Sequence, residues 1–220
     1  MAFIMDGNQR WSEKNNKSIA QGYSEGLKKL TEIVEILINK NIQNLSVYAL
    51  SSENIKRPNV ALIYDLIRNK SKKIIKQLTE VKKVRIRIIG ERDNIPHDIL
   101  KIFEDAEKIP IENIKLNLNI AFNYGVDVEV VNIVKKILIK GYKKDEIDSK
   151  IIKSFMYLED SPDPDILLRT GGFQRLSNFL LLNLKYTELF FTKTLWPDLN
   201  VNEINDVINS YLKIERKYGL

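Results

Sequence analysis

The 220-residue sequence contains no cysteine, and this absence excludes disulfide bonds, cysteine-ligated metal sites and thiol catalysis. It contains a single histidine, His97, which follows a proline where a helix is predicted to begin. A solvent-exposed helix start is the simpler interpretation of His97 than a metal ligand.

Long hydrophobic runs are also absent, since no apolar stretch approaches the roughly 18 residues that a membrane-spanning helix needs. We expect no signal peptide before the first predicted strand. We therefore expect a soluble, cytoplasmic protein that could still contact the inner face of the membrane as a peripheral protein.

The charge balance is mildly basic, because 35 lysine and arginine residues oppose 29 aspartate and glutamate residues and give a net charge of +6. Such an excess suits an anionic partner, whether phosphates, nucleic acid or an acidic lipid surface, but a solvated lysine-rich surface explains it equally well. A nucleic-acid-binding module would need aromatic stacking platforms or a dense basic face, and neither is evident. We therefore expect no nucleic acid partner.

The sequence, 44% of it apolar, alternates between strand-like and helix-like patterns without a linker or an internal repeat. Helices between successive strands imply right-handed crossovers and a mostly parallel sheet. We predict an α/β fold with one domain over residues 1–220, in which helices surround a six-stranded sheet. The predicted strands are 2–5, 44–50, 84–90, 115–123, 165–170 and 187–191. The predicted helices are 24–40, one that follows Pro58, 96–108, 127–140, 145–157 and 202–217.

Polar motifs follow four of these strands, at the edge where parallel sheets bind ligands. These motifs are MDGNQR, SSENIKRP, FNYG and RTGGFQRLSN. Because the carboxyl ends of parallel strands meet at one edge of the sheet, we expect the four motifs to converge on one site.

The motif RTGGFQRLSN predicts a phosphate site. Arg169 and Arg175 can grip phosphate oxygens in pairs, and the glycines between them let the backbone approach a ligand. Ser177 and Asn178 are typical of a helix start, whose free N–H groups and serine hydroxyl can bind an anion. The alternative is an arginine pair that bridges local carboxylates, beside an ordinary serine cap.

The motif MDGNQRW predicts a second cluster. Asp6 can bind Mg²⁺, which prefers one or two carboxylates together with substrate phosphates. Gly7, Asn8 and Arg10 can donate to a second phosphate group. Two phosphate sites and one metal carboxylate indicate that two phosphorylated substrates meet here.

The motif SSENIKRP gives a weaker prediction. Arg57 can hold another phosphate, while Ser51 and Asn54 can position a reacting group. The alternative is a polar loop in which Ser51 is a cap and Pro58 occupies the first position of the next helix.

Seven motifs occur in a fixed order along essentially the whole chain: MDGNQRW, SSENxxRP, NYG, RTGG, RLSNFLL, YTELFF and WPDL. This series resembles the cis-prenyltransferase family, most closely the undecaprenyl diphosphate synthases of bacteria. The resemblance implies a parallel six-stranded sheet with helices around an apolar tunnel, a homodimer, Mg²⁺ as cofactor and transient contact with a membrane surface for product release.

The resemblance also implies a reaction. Farnesyl diphosphate loses its diphosphate, the double bond of isopentenyl diphosphate attacks the resulting cationic carbon, and a proton leaves with cis stereochemistry. Repetition gives a long polyprenyl diphosphate, expected to be the undecaprenyl carrier for cell-wall glycans. The alternative is a non-catalytic partner subunit of the same fold, which is expected to lack the aspartate and arginines that this chain retains.

The resemblance assigns roles to individual residues. Asp6 would be a catalytic residue and a metal ligand, with Glu188 as the second metal ligand; without the resemblance, Glu188 is better explained as a buried acid paired with an arginine. Asn54 matches the proposed proton acceptor, but an amide is a poor base, so we expect it to position a proton that a diphosphate oxygen accepts.

Leu116 matches the tunnel floor, and the alternative is a plain core residue. Trp11 is equally well explained as core. Substrate contacts are predicted for Gly7, Asn8, Gln9, Arg10, Trp11, Tyr23, Ser51, Ser52, Glu53, Arg57, Arg169, Arg175, Leu176 and Ser177.

The chain departs from the family pattern at several positions. Gln9 replaces a frequent glycine, and Phe173 replaces a glutamate. The other departures lie at Ile19, Tyr23, Leu50, Ile55 and Ala61. We expect them to affect substrate affinity and loop closure more than reaction type.

Overall fold

The computed structural model describes residues 1–215, within which six strands form one all-parallel sheet. The strands are β1 (Ala2–Ile4), β2 (Asn44–Ser51), β3 (Val84–Ile89), β4 (Leu116–Tyr124), β5 (Ile166–Arg169) and β6 (Glu188–Phe191). Their order across the sheet is β3-β4-β2-β1-β5-β6, with parallel pairing at every step. The predicted α/β fold with a six-stranded parallel sheet is confirmed.

Seven α-helices of the described chain connect and cover these strands. They are α1 (Asn8–Lys14), α2 (Ile19–Asn39), α3 (Val60–Lys76), α4 (His97–Glu107), α5 (Val126–Ile139), α6 (Ser149–Ser154) and α7 (Val201–Leu212). None of them combines the length and the hydropathy that crossing a bilayer requires.

The core lies on both faces of the sheet, because alternate residues of a strand point to opposite sides. Phe3 belongs to the larger cluster, which also contains buried residues of α2, α3, α4 and α7. Its neighbours Ala2 and Ile4 belong to a second cluster with Phe179 and Leu180. The face that carries the larger cluster also holds the apolar cavity described below.

The segment after β1 forms a short helix, α1, which is not among the predicted helices. Gly7 precedes this helix with a φ of 112°, a left-handed conformation that glycine adopts without steric cost. The N–H of Trp11 donates to the Gly7 carbonyl oxygen at 2.8 Å. Helix α2 then begins at Ile19, earlier than predicted, because Ser18 and Gln21 form a reciprocal capping box.

The prediction that a helix begins at Ser177 and Asn178 is wrong. These residues have φ values of 49° and 66°, so the backbone is left-handed there and makes a turn. The helix predicted over 145–157 is shorter, since α6 follows a separate 3₁₀ turn. Helix α7 ends at Leu212, and positions 216–217 of the predicted last helix lie outside the described residues.

Candidate active site

Two cavities meet at the carboxyl edge of the sheet. A polar cleft of about 700 Å³ lies where β1, β2 and β5 end. An apolar cavity of about 190 Å³ lies between the sheet and helices α2, α3 and α4. The polar cleft opens into the apolar cavity, because both are lined by Met5, Asn8, Tyr23, Tyr48, Ala49 and Ile63.

Most of the predicted site residues line the polar cleft. They come from the ends of three strands and from the first turns of the helices that follow, as the convergence of three of the motifs indicated. No residue of the fourth motif, FNYG, lines the described cleft. The predicted residues found there are Asp6, Gly7, Asn8, Gln9, Arg10, Tyr23, Ser51, Glu53, Asn54, Arg57, Arg169, Arg175 and Ser177.

The carboxylate of Asp6 lies between two arginines. Arg10 Nη2 donates to Oδ1 at 3.0 Å, and Arg169 Nη2 donates to Oδ2 at 2.8 Å. The backbone of Asp6 is also fixed, because its N–H donates to Thr170 Oγ1 at 3.0 Å. The Asp6 side chain keeps 27% of its surface exposed, so a carboxylate with a defined position faces the cleft.

Arg169 joins Asp6 to the loop that follows β5. It is 3% exposed, and its Nη1 donates to the carbonyl oxygen of Arg175 and, at 2.8 Å, to Oγ of Ser177. The charge on Arg169 is therefore already compensated by Asp6. By contrast, Arg175 has an exposed side chain that can move toward an anion.

Gly171 allows the loop after β5 to pass close to the end of β1. Its φ is 84°, and a Cβ there would lie 2.5 Å from Nη2 of Arg10 and 3.1 Å from the carbonyl oxygen of Asp6. Arg10 Nη1 donates to the Gly171 carbonyl at 2.6 Å. The close approach that was predicted for a ligand is thus made by Arg10 and the Asp6 backbone.

The SSEN segment is a turn held by its own side chains. Ser51 Oγ accepts the N–H of Asn54 at 3.1 Å, and Asn54 begins a 3₁₀ turn in which its side chain lines the cleft. Burial would raise the pKa of Glu53, but hydrogen bonds from its own backbone, Ser51 and Asn178 outweigh burial and lower it. Glu53 is therefore a carboxylate at neutral pH.

Asn178 makes contacts that the motif analysis did not predict. Its Nδ2 donates to Glu53 Oε1 at 3.1 Å and to Asp127 Oδ1 at 2.7 Å. Its Oδ1 accepts the N–H of Val126 at 3.1 Å. Asn178 thus links the loops after β2, β4 and β5. Its place in the RLSN motif is the one feature of the sequence that pointed to a role in the site.

Asn8 and Tyr23 lie at the junction of the two cavities. Asn8 Nδ2 donates to the carbonyl oxygen of Met5 at 3.3 Å, whereas its buried Oδ1 has no hydrogen-bond partner among the described residues. Burial raises the pKa of Tyr23, and the nearby charge of Arg57 partly opposes this effect. Tyr23 therefore presents a neutral hydroxyl beside a guanidinium.

Three predicted substrate-binding residues do not line the described cleft. Trp11 is half-buried, and its Nε1 donates to Asp198 Oδ1 at 2.6 Å, so it is neither core nor cleft lining. The N–H of Ser52 donates to the Tyr124 carbonyl at 2.9 Å. Leu176 packs against the second core cluster, so its contacts are with the interior.

Glu188 does not lie beside Asp6 within one chain, and its role as a metal ligand stays a prediction. It begins β6 opposite Ile166, whereas Phe191 at the other end of β6 is level with Arg169. Three residue steps along a strand cover about 10 Å. Glu188 is therefore near the amino edge of the sheet, and Asp6 is beyond the carboxyl edge.

The described residues offer a metal ion few protein ligands. Residues 1–215 contain no group of three or more histidine, aspartate or glutamate side chains that could hold one. Mg²⁺ needs only one or two carboxylates when substrate phosphates complete its coordination shell. Asp6, which is fixed and partly exposed, fits an ion of that kind.

The apolar cavity extends down one face of β4. Leu118, Ile120 and Phe122 line it, and Leu118 pairs with Ile86, another lining residue. Leu116 does not line the cavity. It is fully buried two residues below Leu118, so it lies beneath the cavity's deepest residues on this strand.

Comparisons with known proteins agree with this architecture. The family model described as "Putative undecaprenyl diphosphate synthase" matches residues 4–219. An isoprenyl transferase of Fusobacterium nucleatum is 38% identical and covers 100% of this chain and 94% of its own length. A tritrans,polycis-undecaprenyl-diphosphate synthase (geranylgeranyl-diphosphate specific) of Thermococcus kodakarensis is 37% identical over 100% of this chain and 86% of its own length.

A solved structure extends the likeness to three dimensions. Lavandulyl diphosphate synthase from Lavandula x intermedia, in complex with dimethylallyl diphosphate, superposes with a TM-score of 0.91 at 25% identity. The match covers 100% of this chain and 97% of that one. The predicted family and the predicted transferase class are confirmed. This chain belongs to the undecaprenyl diphosphate synthase family, the cis-prenyltransferases.

Proposed function

We propose that this chain condenses isopentenyl diphosphate repeatedly onto farnesyl diphosphate and releases a long polyprenyl diphosphate, with undecaprenyl diphosphate for cell-wall glycan synthesis as the product. The observation that carries the proposal is that the polar cleft opens into an apolar cavity. The cleft is lined by Arg10, Arg57, Arg169 and Arg175. A diphosphate needs cations, and a growing hydrocarbon chain needs an apolar channel. The whole chain, residues 1–220, would act as one domain.

The residues around Asp6 would bind the allylic diphosphate. The first N–H groups of a helix have no acceptor within the helix, so those of Asn8 and Gln9 at the start of α1 are available to a phosphate oxygen. Arg10, whose side chain is 41% exposed, can turn from Asp6 toward the same group. Mg²⁺ bound at Asp6 would neutralise charge on the leaving diphosphate.

Isopentenyl diphosphate would lie on the opposite side of the cleft, against Arg175 and Ser177, with Arg169 fixing their loop. The side chain of Asn54 would orient the carbon that loses its proton, and a diphosphate oxygen would accept that proton. Asp6 and the arginines are retained here, and this favours an active enzyme over the non-catalytic subunit.

The experiment is a condensation assay with radiolabelled isopentenyl diphosphate. The purified chain is incubated with farnesyl or geranylgeranyl diphosphate, with Mg²⁺ or with EDTA. We expect diphosphate release and labelled long-chain product from farnesyl diphosphate, and loss of both with EDTA. Turnover confined to geranylgeranyl diphosphate would overturn the primer assignment, and an inactive folded protein would favour the non-catalytic subunit.

Leu116 is proposed as the tunnel floor, and it gives a prediction about product length. In Leu116→Ala the cavity should deepen by roughly two residues of β4, because Leu116 is buried beneath Leu118. We expect longer products by reverse-phase chromatography at matched turnover, and a smaller change in Leu118→Ala. The truncation should also cost about 2–5 kcal/mol of stability.

The matched control is Leu167→Ala, which removes an equally buried leucine from the second core cluster on the other face of the sheet. It should cost similar stability and leave the products unchanged. Wild-type product lengths from an active Leu116→Ala enzyme would leave Leu116 with a packing role alone.

We also infer a homodimer, in which Glu188 serves the metal site of the partner. The supporting observations are the position of Glu188 on the edge strand β6 and the exposed apolar side chains near it in sequence and on α5. These are Val131, Val134, Leu138, Leu181 and Leu189, exposed by 50%, 49%, 71%, 45% and 43%. Transient contact of the same cytoplasmic protein with the membrane's inner face would release the hydrocarbon product.

Subunit mixing tests the shared site. Asp6→Ala and Glu188→Ala chains are each expected to be inactive alone, but a mixed dimer would contain one intact site. After co-refolding at equal amounts we expect about a quarter of wild-type activity, since half the dimers are mixed and each has one of two sites. No recovery in verified mixed dimers would place Glu188 outside the partner's site.

A further inference from the structure

Phe173 lies among the arginines of the cleft. Its ring centroid is 4.1 Å from the guanidinium carbon of Arg175, 4.9 Å from that of Arg10 and 5.7 Å from that of Arg169. These distances fall within the roughly 6 Å range of cation–π attraction. One partly exposed ring therefore contacts three cations that come from two separate strand ends.

The charges around this ring are unbalanced. Among the described residues, Asp6 is the carboxylate that pairs with Arg10 and Arg169, and Arg175 has no salt bridge. Three guanidinium groups held close together repel one another. An aromatic ring offsets part of that repulsion through the negative potential of its faces, yet it carries no net charge.

A carboxylate at the same position would act differently. A glutamate would pair with an arginine, and the pair would have to separate before a diphosphate could take the carboxylate's place. A phenyl ring stabilises the guanidinium plane of Arg175 while leaving its N–H groups free at the edges. Arg175 would then be held ready with its charge unpaired.

We propose that Phe173 is a positioning residue and that it forms with Arg175 a preformed clamp for a diphosphate group, in which the ring holds the guanidinium without neutralising it. The identity of the substrate rests on the proposed function. The clamp itself does not, because inorganic pyrophosphate is a sufficient probe of it.

The test is titration calorimetry of the full chain with inorganic pyrophosphate in EDTA, at two salt concentrations. Phe173→Leu keeps an apolar side chain but removes the ring face, and we expect its Kd to rise roughly tenfold. Phe173→Tyr keeps the ring and should stay within about threefold of wild type. Phe173→Glu should bind more weakly than Phe173→Leu, because it adds an anion that competes with pyrophosphate.

Phe155→Leu is the matched control, since it removes a half-buried ring outside the cleft that packs edge-to-face against Tyr142. It should leave the Kd unchanged. The melting temperature of Phe173→Leu should match wild type, since its ring is 42% exposed; if that variant does not fold, Phe173→Met replaces it. In the condensation assay Phe173→Leu should raise the KM for isopentenyl diphosphate with little change in kcat.

Wild-type Kd values in folded Phe173→Leu or Phe173→Met would overturn the clamp, and so would a wild-type chain that does not bind pyrophosphate. If pyrophosphate binding depends on the ring while no prenyl substrate is turned over, the clamp stands and the proposed reaction falls. If the enzyme is active and the ring is irrelevant to binding, only the clamp falls.

Discussion

Replacing Asp6 with alanine is expected to lower kcat by about 10³-fold or more while the chain stays folded. The carboxylate has two roles in the proposed reaction. It would hold the metal ion at the leaving diphosphate, and it orients Arg10 and Arg169 through hydrogen bonds of 3.0 and 2.8 Å. Both contributions matter most when charge develops on the departing group, so the loss should fall on kcat.

Asp6→Asn separates the two roles of the carboxylate. The amide retains an oxygen that can accept from one arginine, but it has no charge for a metal ion. We expect activity as low as in Asp6→Ala, measured as single-turnover formation of the first condensation product at saturating Mg²⁺. Circular dichroism verifies the fold.

Asp160→Ala is the control for removing an aspartate that pairs with an arginine. Asp160 accepts two hydrogen bonds from Arg87 outside the cleft, and that contact lowers the pKa of Asp160. Its loss should leave turnover within a few-fold of wild type. Near-normal turnover in folded Asp6→Ala would remove Asp6 from the mechanism.

The fold was predictable from the sequence because its strands are short apolar runs between helices with clear apolar spacing. The parts that were not predicted are set by local backbone geometry. Helix α1 has seven residues, too few for an apolar period, and a left-handed Gly7 starts it. Ser177 and Asn178 match a helix cap in type, but their positive φ values turn the chain instead.

The convergence of Asp6 with the arginines was predictable, since parallel strands place their carboxyl ends at one edge. Strand polarity also predicts that Glu188 and Asp6 of one chain lie at opposite edges of the sheet, because Glu188 starts a strand and Asp6 follows one. The contacts of Asn178 and Phe173 depend on loops that meet only after folding. A single sequence gives the residue types in those loops but not their partners.

Arg175→Ala is expected to raise KM for isopentenyl diphosphate strongly and to leave KM for the allylic substrate nearly unchanged. Arg175 is exposed, and the described contact of its side chain is with the Phe173 ring, so truncation removes little from the free enzyme. A hydrogen bond to a charged group contributes about 1.5–3 kcal/mol, which corresponds to roughly 10- to 150-fold in KM.

Arg169→Ala should behave differently, although its motif suggested the same role. Arg169 is 3% exposed and joins Asp6 to Ser177 and to the carbonyl of Arg175, so its loss disturbs both sides of the cleft. We expect a fall in kcat and a rise in KM for both substrates. A loss of stability is also expected, since Asp6 loses its most buried partner.

Steady-state kinetics with each substrate varied in turn distinguish the two arginines. Arg85→Ala, which removes an exposed arginine from β3, supplies the control for a lost positive charge and should leave both KM values unchanged. Equal changes in the two KM values for Arg175→Ala would mean that the subsites are assigned to the wrong sides of the cleft. An effect on the allylic KM alone would exchange them, placing the allylic diphosphate beside Arg175 and isopentenyl diphosphate beside Asp6.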